Sequence, residues 1–142
     1  MYKIESTEFG YRLTFGGIVS GDEMKRWWEE SVATLAAGPD RFHVFVDMRQ
    51  LETMSRHTQE RLEEGQRHYK EQGMVRSVVI LSRPVIKRQL EVLAKASRIY
   101  DWERYIDASR SPDWKEKAMA WLESAIEPET GIPKPESAQQ NT

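Results

Sequence analysis

The chain of 142 residues contains no cysteine. This absence excludes a disulfide framework, a thiol nucleophile, a thiolate zinc site and an iron–sulfur cluster, and it fits a reducing compartment. No apolar run approaches the roughly 18 residues that a membrane-spanning helix needs. The start, Met1 to Glu5, also lacks the apolar stretch of a signal peptide. We therefore expect a cytoplasmic protein with no membrane insertion.

The chain has no excess of charge of either sign. Its 21 basic residues stand against 23 acidic ones, which gives a net charge of -2. Because proteins that bind nucleic acid usually carry a basic excess, we expect no nucleic-acid partner. Hydrophobic residues make up 39% of the chain and include five tryptophans, which is enough apolar surface for one folded core at this length.

Strand and helix patterns alternate along the chain. Residues 2–15 alternate at a period of two around a turn at 8–10, which predicts an antiparallel hairpin. Apolar spacing of three and four predicts helices over residues 20–38, 55–72, 82–100 and 111–126. Strands are predicted at 42–46, 75–81 and 104–106, the second of them central and covered on both faces because it is a continuous β-branched run.

This alternation predicts an α/β fold in the order β-β-α-β-α-β-α-β-α, with parallel strands joined by right-handed crossovers. The sheet is mixed, with four or five strands, the N-terminal antiparallel hairpin at its edge and about four helices. We predict one domain over residues 1–126. From Glu127 the composition turns polar, so residues 127–142 are predicted to be a flexible C-terminal tail.

The segment Val44-Phe45-Val46-Asp47-Met48-Arg49-Gln50-Leu51, with the helix that follows, resembles the strand, aspartate and loop of STAS domains, and more closely those of their SpoIIAA-like branch. The resemblance covers roughly residues 1–124. It implies a SpoIIAA-like sheet with helices mainly on one side, related in shape to the lipid-carrier domain of Sec14-type proteins. It also implies a regulatory, bacterial-type function.

STAS antagonists of anti-sigma factors are switched by phosphorylation of a serine at the start of the second helix. The corresponding stretch here, residues 53–58, lacks the Asp-Ser-Ser-Gly-like turn, and Ser55 and Thr58 are its nearest hydroxyls. Together with Asp47 they form a candidate switch loop, where a phosphate would lie at a helix N-terminus. The alternative is that Ser55 only caps the helix.

Two further surfaces are candidates for binding. The start of the third helix gathers a candidate anion site: Ser82, Arg83, Lys87 and Arg88. The alternative is an ordinary mixed-charge face. A candidate interface with another protein or a second copy of the chain comprises Trp27, Val85, Val92 and Ile99. Three of these widen the apolar stripe of the third helix beyond one face, so that helix is either unusually buried or meets a partner.

We expect no enzyme, metal or cofactor. Two histidines and two glutamates lie along one face of the second helix. The first and last of these four residues, His57 and His68, are roughly 16 Å apart and cannot bind the same ion. No Gly-x-Ser-x-Gly elbow and no glycine-rich phosphate loop occurs. A minor hydrolase or metalloenzyme using His43, Asp47 or the His57 helix is the least favoured alternative.

The predicted function is therefore a non-enzymatic STAS-like domain that binds another protein, itself, or both. The Sec14-like shape leaves a second function open, a small carrier of an amphiphilic or anionic small molecule. That alternative predicts an apolar cavity of about 300 Å³ or more, with Arg83, Lys87 or Arg88 near its mouth.

Overall fold

The computed structural model describes residues 1–135. Within them the chain forms seven strands and four helices, and a short 3-10 turn at Ile99–Asp101 precedes the last strand. In chain order the elements are β1 (Tyr2–Ser6), β2 (Gly10–Phe15), β3 (Gly17–Ile18), α1 (Gly21–Ala36), β4 (Phe42–Asp47), β5 (Leu51–Thr53), α2 (Arg56–Glu71), β6 (Met74–Leu81), α3 (Pro84–Ala96), β7 (Glu103–Asp107) and α4 (Trp114–Ser124).

Five strands form the main sheet, in the order β1-β2-β4-β6-β7. β1 and β2 are the antiparallel hairpin, and the other pairs are parallel. The predicted order and the mixed sheet are thus confirmed. The short strands β3 and β5 were not predicted; they pair with each other in parallel and form a separate ribbon.

The helices cover the two faces of the sheet unequally. β6 lies inside the sheet, and its alternating side chains enter two different cores. Val79 and Leu81 join the core beneath α1, α2 and α3, whereas Val78 and Ile80 join Trp121 of α4 on the opposite face. Three helices therefore cover one face and one helix covers the other, in agreement with the resemblance.

The third helix is shorter than its apolar pattern predicts. It ends at Ala96, because the hydroxyl of Ser97 donates to the Leu93 carbonyl at 2.8 Å and Arg98 adopts a left-handed backbone with φ of 72°. That conformation ends an α-helix. Ile99 and Tyr100 consequently lie in the 3-10 turn that leads into β7.

The C-terminal segment is not a free tail throughout. Ile126 and Pro133 form an antiparallel bridge, the amide of Lys134 donates to the Ala125 carbonyl, and Glu127 accepts hydrogen bonds from Arg104 at 2.6 and 3.0 Å. Residues 127–134 therefore lie against the domain, because this polar composition still supplies specific partners to it. Residues 136–142 lie outside the described residues.

None of the helices in residues 1–135 combines the length and the hydropathy required to span a bilayer.

Candidate functional site

Ligand sites in sheets of this kind usually lie beyond the carboxyl ends of the parallel strands. At this end β4 and β7 each finish on an aspartate, Asp47 and Asp107, and β6 leads directly into α3. The charged loops and the exposed helix α3 therefore meet at one end of the molecule.

The Asp47 carboxylate is held by two arginines. Arg12 donates to its Oδ2 at 2.7 Å, and the guanidinium of Arg49 donates to both of its oxygens at 3.0 and 2.9 Å. Burial alone would raise the pKa of Asp47, but the hydrogen bonds and charge of Arg49 and the charge of Arg12 outweigh it and lower the pKa below its ordinary value of 3.8. This aspartate fixes the start of the loop.

The two hydroxyls of the candidate switch loop differ in access. Ser55 is exposed and caps α2, since its Oγ accepts a hydrogen bond from the amide of Thr58 at 3.1 Å. Thr58 is only 3% exposed. The hydroxyl of Thr58 is thus buried in the first turn of α2, and Ser55 is the accessible hydroxyl of the two.

The four residues of the candidate anion site do not converge. Arg83 reaches away from α3, and its Nη1 donates to the Glu52 carbonyl at 3.0 Å. Lys87 lies between Glu91 and Glu129, at 3.2 and 3.4 Å from their carboxylates, so its charge is already balanced. Ser82 and Arg88 are exposed. The helix thus separates the cations instead of gathering them around one anion.

The candidate interface divides into a surface pair and two core residues. Val85 and Val92, seven residues apart on α3, are 68% and 61% exposed. Trp27 and Ile99 are each 1% exposed, so their assignment to an interface is wrong. Trp27 fills the core between Phe15 and Tyr69, with ring centroids 5.6 and 5.7 Å away, and Trp28 is the half-buried member of the adjacent pair.

Two grooves flank α3. The edge groove, of about 740 Å³, separates α3 from β7 and includes Lys87, Arg88 and Asp107. The loop groove, of about 330 Å³, separates α3 from the β5 segment and is lined largely by apolar side chains, with Arg83 beside them: Met48, Leu51, Met54, Ile86 and Leu90. Between α2, α3 and the sheet the void is only about 20 Å³, so the space for a ligand lies beside the helix and not beneath it.

The histidines do not form a centre with the carboxylates. In the described residues 1–135, no group of three or more His, Asp or Glu could hold a metal ion. His57 accepts a hydrogen bond from Arg61 at 3.2 Å, and His68 packs against the Trp28 ring. Burial and the charge of Arg76 lower the pKa of His43 below its ordinary value of 6.5.

Sequence reasoning missed a buried polar cluster. Glu103 is 0% exposed, and its carboxylate accepts hydrogen bonds from Gln66 at 2.7 and 2.8 Å, from Ser77 at 2.7 Å and from the hydroxyl of Tyr105. Burial raises the pKa of Glu103, and these hydrogen bonds oppose the rise. The available signal was the two-residue spacing of Glu103, Tyr105 and Asp107, which places all three on one face of β7. The charged Arg104 between them obscures that pattern.

No protein-family model and no curated protein matches the chain in sequence. Among solved structures, the chain is similar to an uncharacterized protein of the DUF3478 family with a SpoIIAA-like fold from Shewanella loihica PV-4. The TM-score is 0.58 at 17% sequence identity, and the match covers 86% of this chain and 92% of that one. The chain therefore has a SpoIIAA-like fold.

Proposed function

We propose that this chain is a non-enzymatic interaction domain that binds another protein through the outward face of α3. The observation that supports this most directly is the exposure of Val85 and Val92 on one line of that helix. Two large apolar side chains left exposed at seven-residue spacing are typical of a helix that meets a partner.

The attachment of α3 also supports the proposal. Ala94 is the one residue of this helix that is fully buried, whereas α4 buries Ala118, Trp121 and Leu122. Ile86 and Leu90 pack against the core while partly exposed, so α3 covers the sheet with one side and leaves its outer side for contact with another molecule.

The regulatory part of the proposal concerns Ser55. Its hydroxyl is exposed at the start of α2, and a phosphate there would be stabilised by the free amides of the first helical turn. The modification would change the charge of the loop that adjoins α3.

Affinity capture with the full chain from its native cell tests the interaction. We expect one protein to be retained by the unmodified chain and by Val32→Glu, which changes an exposed valine of α1, and to be lost with Val92→Glu. Equal retention by all three chains would overturn the assignment of α3 as the contact surface. Retention of no protein by the unmodified chain would contradict the proposed function itself.

The loop groove supports a second candidate function, the binding of an amphiphile. Its volume of about 330 Å³ and its methionine and leucine lining suit an acyl or aromatic group, with Arg83 available to an anionic end. An anionic fluorescent amphiphile, anilinonaphthalene sulfonate, tests this assignment. We expect binding to weaken at least about tenfold in Leu90→Glu, by desolvation of the new charge, and to persist in Val92→Glu.

A further inference from the structure

The β7 edge of the main sheet lies at the bottom of the edge groove. Among residues 1–135, β7 pairs only with β6, yet all five residues of β7 are buried. The second half of the strand, from Tyr105 to Asp107, lines the groove directly, between α3 on one side and residues 128–129 on the other. An edge strand normally has unpaired backbone groups that can pair with another strand. Here the edge strand β7 lies recessed in the groove.

The hydrogen bonds at both ends of the β6–β7 ladder fix the direction of each backbone group. The Ser77 amide donates to the Trp102 carbonyl at 3.0 Å, and the Ala108 amide donates to the Leu81 carbonyl at 2.7 Å. Because backbone groups of alternate residues face opposite edges of a strand, residues 104 and 106 face β6. The amides and carbonyls of Glu103, Tyr105 and Asp107 face the groove.

Part of this outward set already has partners. The Glu103 carbonyl accepts from Arg104 at 2.9 Å, and the Asp107 carbonyl accepts from the Arg110 amide at 3.2 Å. Within residues 1–135, no backbone or side-chain group is paired with the outward amide and carbonyl of Tyr105 or with the amide of Asp107. These are the groups that an added strand uses.

The side chain of Asp107 offers one more acceptor at the same place. Its Oδ1 accepts from the amide and hydroxyl of Ser109 at 2.9 and 2.6 Å. Its Oδ2 is buried and has no hydrogen-bond partner among the described residues, and the nearest cation, Nε of Arg110, is 3.9 Å away. A buried carboxylate oxygen without a donor is rare and costly, so a donor from an occupant would remove that cost.

The charged residues that line the edge groove indicate which kind of partner it can bind. Lys87 is balanced by Glu91 and Glu129, and these two acids lie at one part of the groove. The other cations of the lining are Arg88, Arg110 and Lys117. Lys117 lies 3.5 Å from the Asp113 carboxylate and Arg110 lies 3.9 Å from that of Asp107, whereas the exposed Arg88 forms no ion pair among residues 1–135. A second copy of the chain paired edge to edge would bring these cations against their own equivalents, so the arrangement favours an acidic partner.

We propose that the edge groove binds a short extended peptide segment with acidic side chains, which pairs with Tyr105 as an added strand. The proposal rests on the proposed function and deepens it, because it names the chemistry of a partner segment. The acidic side chains reach Arg88 and Lys117, and a backbone or side-chain donor of the peptide reaches Oδ2 of Asp107. Backbone pairing supplies the affinity and the charges select the sequence, as in other cases of strand addition.

The test uses the full chain and a short synthetic peptide of alternating valine and glutamate, titrated while the backbone amide signals are followed by nuclear magnetic resonance. We expect the amide signals of Tyr105 and Asp107 to shift and their hydrogen exchange to slow. Two further peptides carry N-methyl groups on one or the other set of alternate amides. Since only one set faces β7, one of these peptides keeps its affinity and the other loses it.

Charge variants test the selection of sequence. Arg88→Glu with Lys117→Glu should weaken binding of the acidic peptide about tenfold or more, since each exposed ion pair accounts for up to roughly a fivefold change. Lys25→Glu with Arg26→Glu makes the same change of net charge on exposed residues of α1 and should leave the affinity unchanged. A peptide with lysine in place of glutamate should bind at least tenfold more weakly.

The proposal is overturned if no peptide binds at millimolar concentration, if both N-methylated peptides bind equally, or if the shifts occur away from β7. These failures are separable from a failure of the proposed function. A captured protein that requires Val92 but is indifferent to Arg88→Glu with Lys117→Glu would support the interaction domain and contradict the edge-groove proposal.

Discussion

Gly65 of α2 lies directly against the indole ring of Trp27 of α1. A Cβ atom built on Gly65 would be 2.3 Å from Cη2 of Trp27 and 2.4 Å from Cζ3. No real pair of carbon atoms tolerates such distances, so the absence of a side chain at residue 65 is what allows the two helices to pack over this ring.

Gly65→Ala should therefore destabilise the fold. Trp27 cannot move aside, because it is 1% exposed and stacked on Tyr69 with an interplanar angle of 4°. Overpacking costs about 1–3 kcal/mol, and the gain in helix propensity of about 1 kcal/mol offsets part of it. We expect a net loss of up to about 2 kcal/mol in the free energy of unfolding, measured by urea titration.

The matched control for this variant is Gly21→Ala. Gly21 is also helical, and a Cβ on it would meet nothing within 4 Å. We expect its free energy of unfolding to stay the same or to rise slightly. Equal stability of the two alanine variants would contradict the close approach of α1 and α2.

Glu103→Gln should change how stability depends on pH. Burial raises the pKa of Glu103 in the folded state above its ordinary value of 4.5. A raised acid pKa means that the folded state binds the proton more tightly, so this stabilisation is complete below pH 4.5 and is lost as the pH rises through the folded-state pKa. The loss amounts to about 1.4 kcal/mol for each unit of the rise.

Urea titrations at several pH values from about 4 to 8 measure this effect. Relative to Glu103→Gln, the unmodified chain should lose stability as the pH rises, because the amide has no proton to release. Glu116→Gln changes an exposed residue of α4. Its free energy of unfolding should depend on pH in the same way as that of the unmodified chain. If the free energies of unfolding of Glu103→Gln and the unmodified chain differed by the same amount at every pH, the pKa of Glu103 would not be raised in the folded state.

Arg104→Lys should release the C-terminal segment. The Arg104 guanidinium lies between the rings of Tyr100 and Trp121, at 4.0 and 4.2 Å from their centroids, and makes a two-point contact with Glu127. A lysine ammonium cannot reproduce either the planar stacking or the paired hydrogen bonds. We expect a loss of about 2 kcal/mol and faster hydrogen exchange in residues 126–134.

Hydrogen exchange read by mass spectrometry localises this change. The helix α4 should keep its protection in Arg104→Lys, because its buried face does not depend on Glu127. Lys115→Arg, an exposed exchange of the same kind on α4, is the control. Unchanged protection of residues 126–134 in Arg104→Lys would mean that other contacts hold the segment.

The elements that the sequence predicted are those set by local chemistry. Ser20 and Glu23, three residues apart, form a reciprocal cap at the start of α1, with hydrogen bonds of 3.1 and 3.4 Å. The β-branched run of β6 is covered on both faces. Periodicity alone could not show which side of a broad apolar helix is covered. It therefore could not predict that Ile99, in the turn after α3, is buried in the core while Val92 of α3 is exposed.

The candidate site was harder to predict because it depends on contacts distant in sequence. Local spacing supplies Glu91 as a partner for Lys87, but it does not show the second partner, Glu129, which is 42 residues later. The Glu103 cluster likewise joins Gln66 and Ser77 from two other elements. Contacts between residues so far apart in the sequence cannot be predicted from local spacing. The capping role of Ser55 can be, because its partner Thr58 is three residues away.

Asp47→Asn should destabilise the fold above acidic pH only. The pKa of Asp47 is lowered below 3.8 in the folded state, so the stabilisation by its charge is complete above that value and is lost as the pH falls through the folded-state pKa. Since charge-assisted hydrogen bonds contribute about 1.5–3 kcal/mol, we expect Asp47→Asn to cost about 2 kcal/mol near pH 7.

Asp113→Asn, which removes an exposed pair with Lys117, should cost less than about 1 kcal/mol. A difference between Asp47→Asn and the unmodified chain that persists undiminished at about pH 2 would contradict the electrostatic origin of the effect and leave packing as its cause.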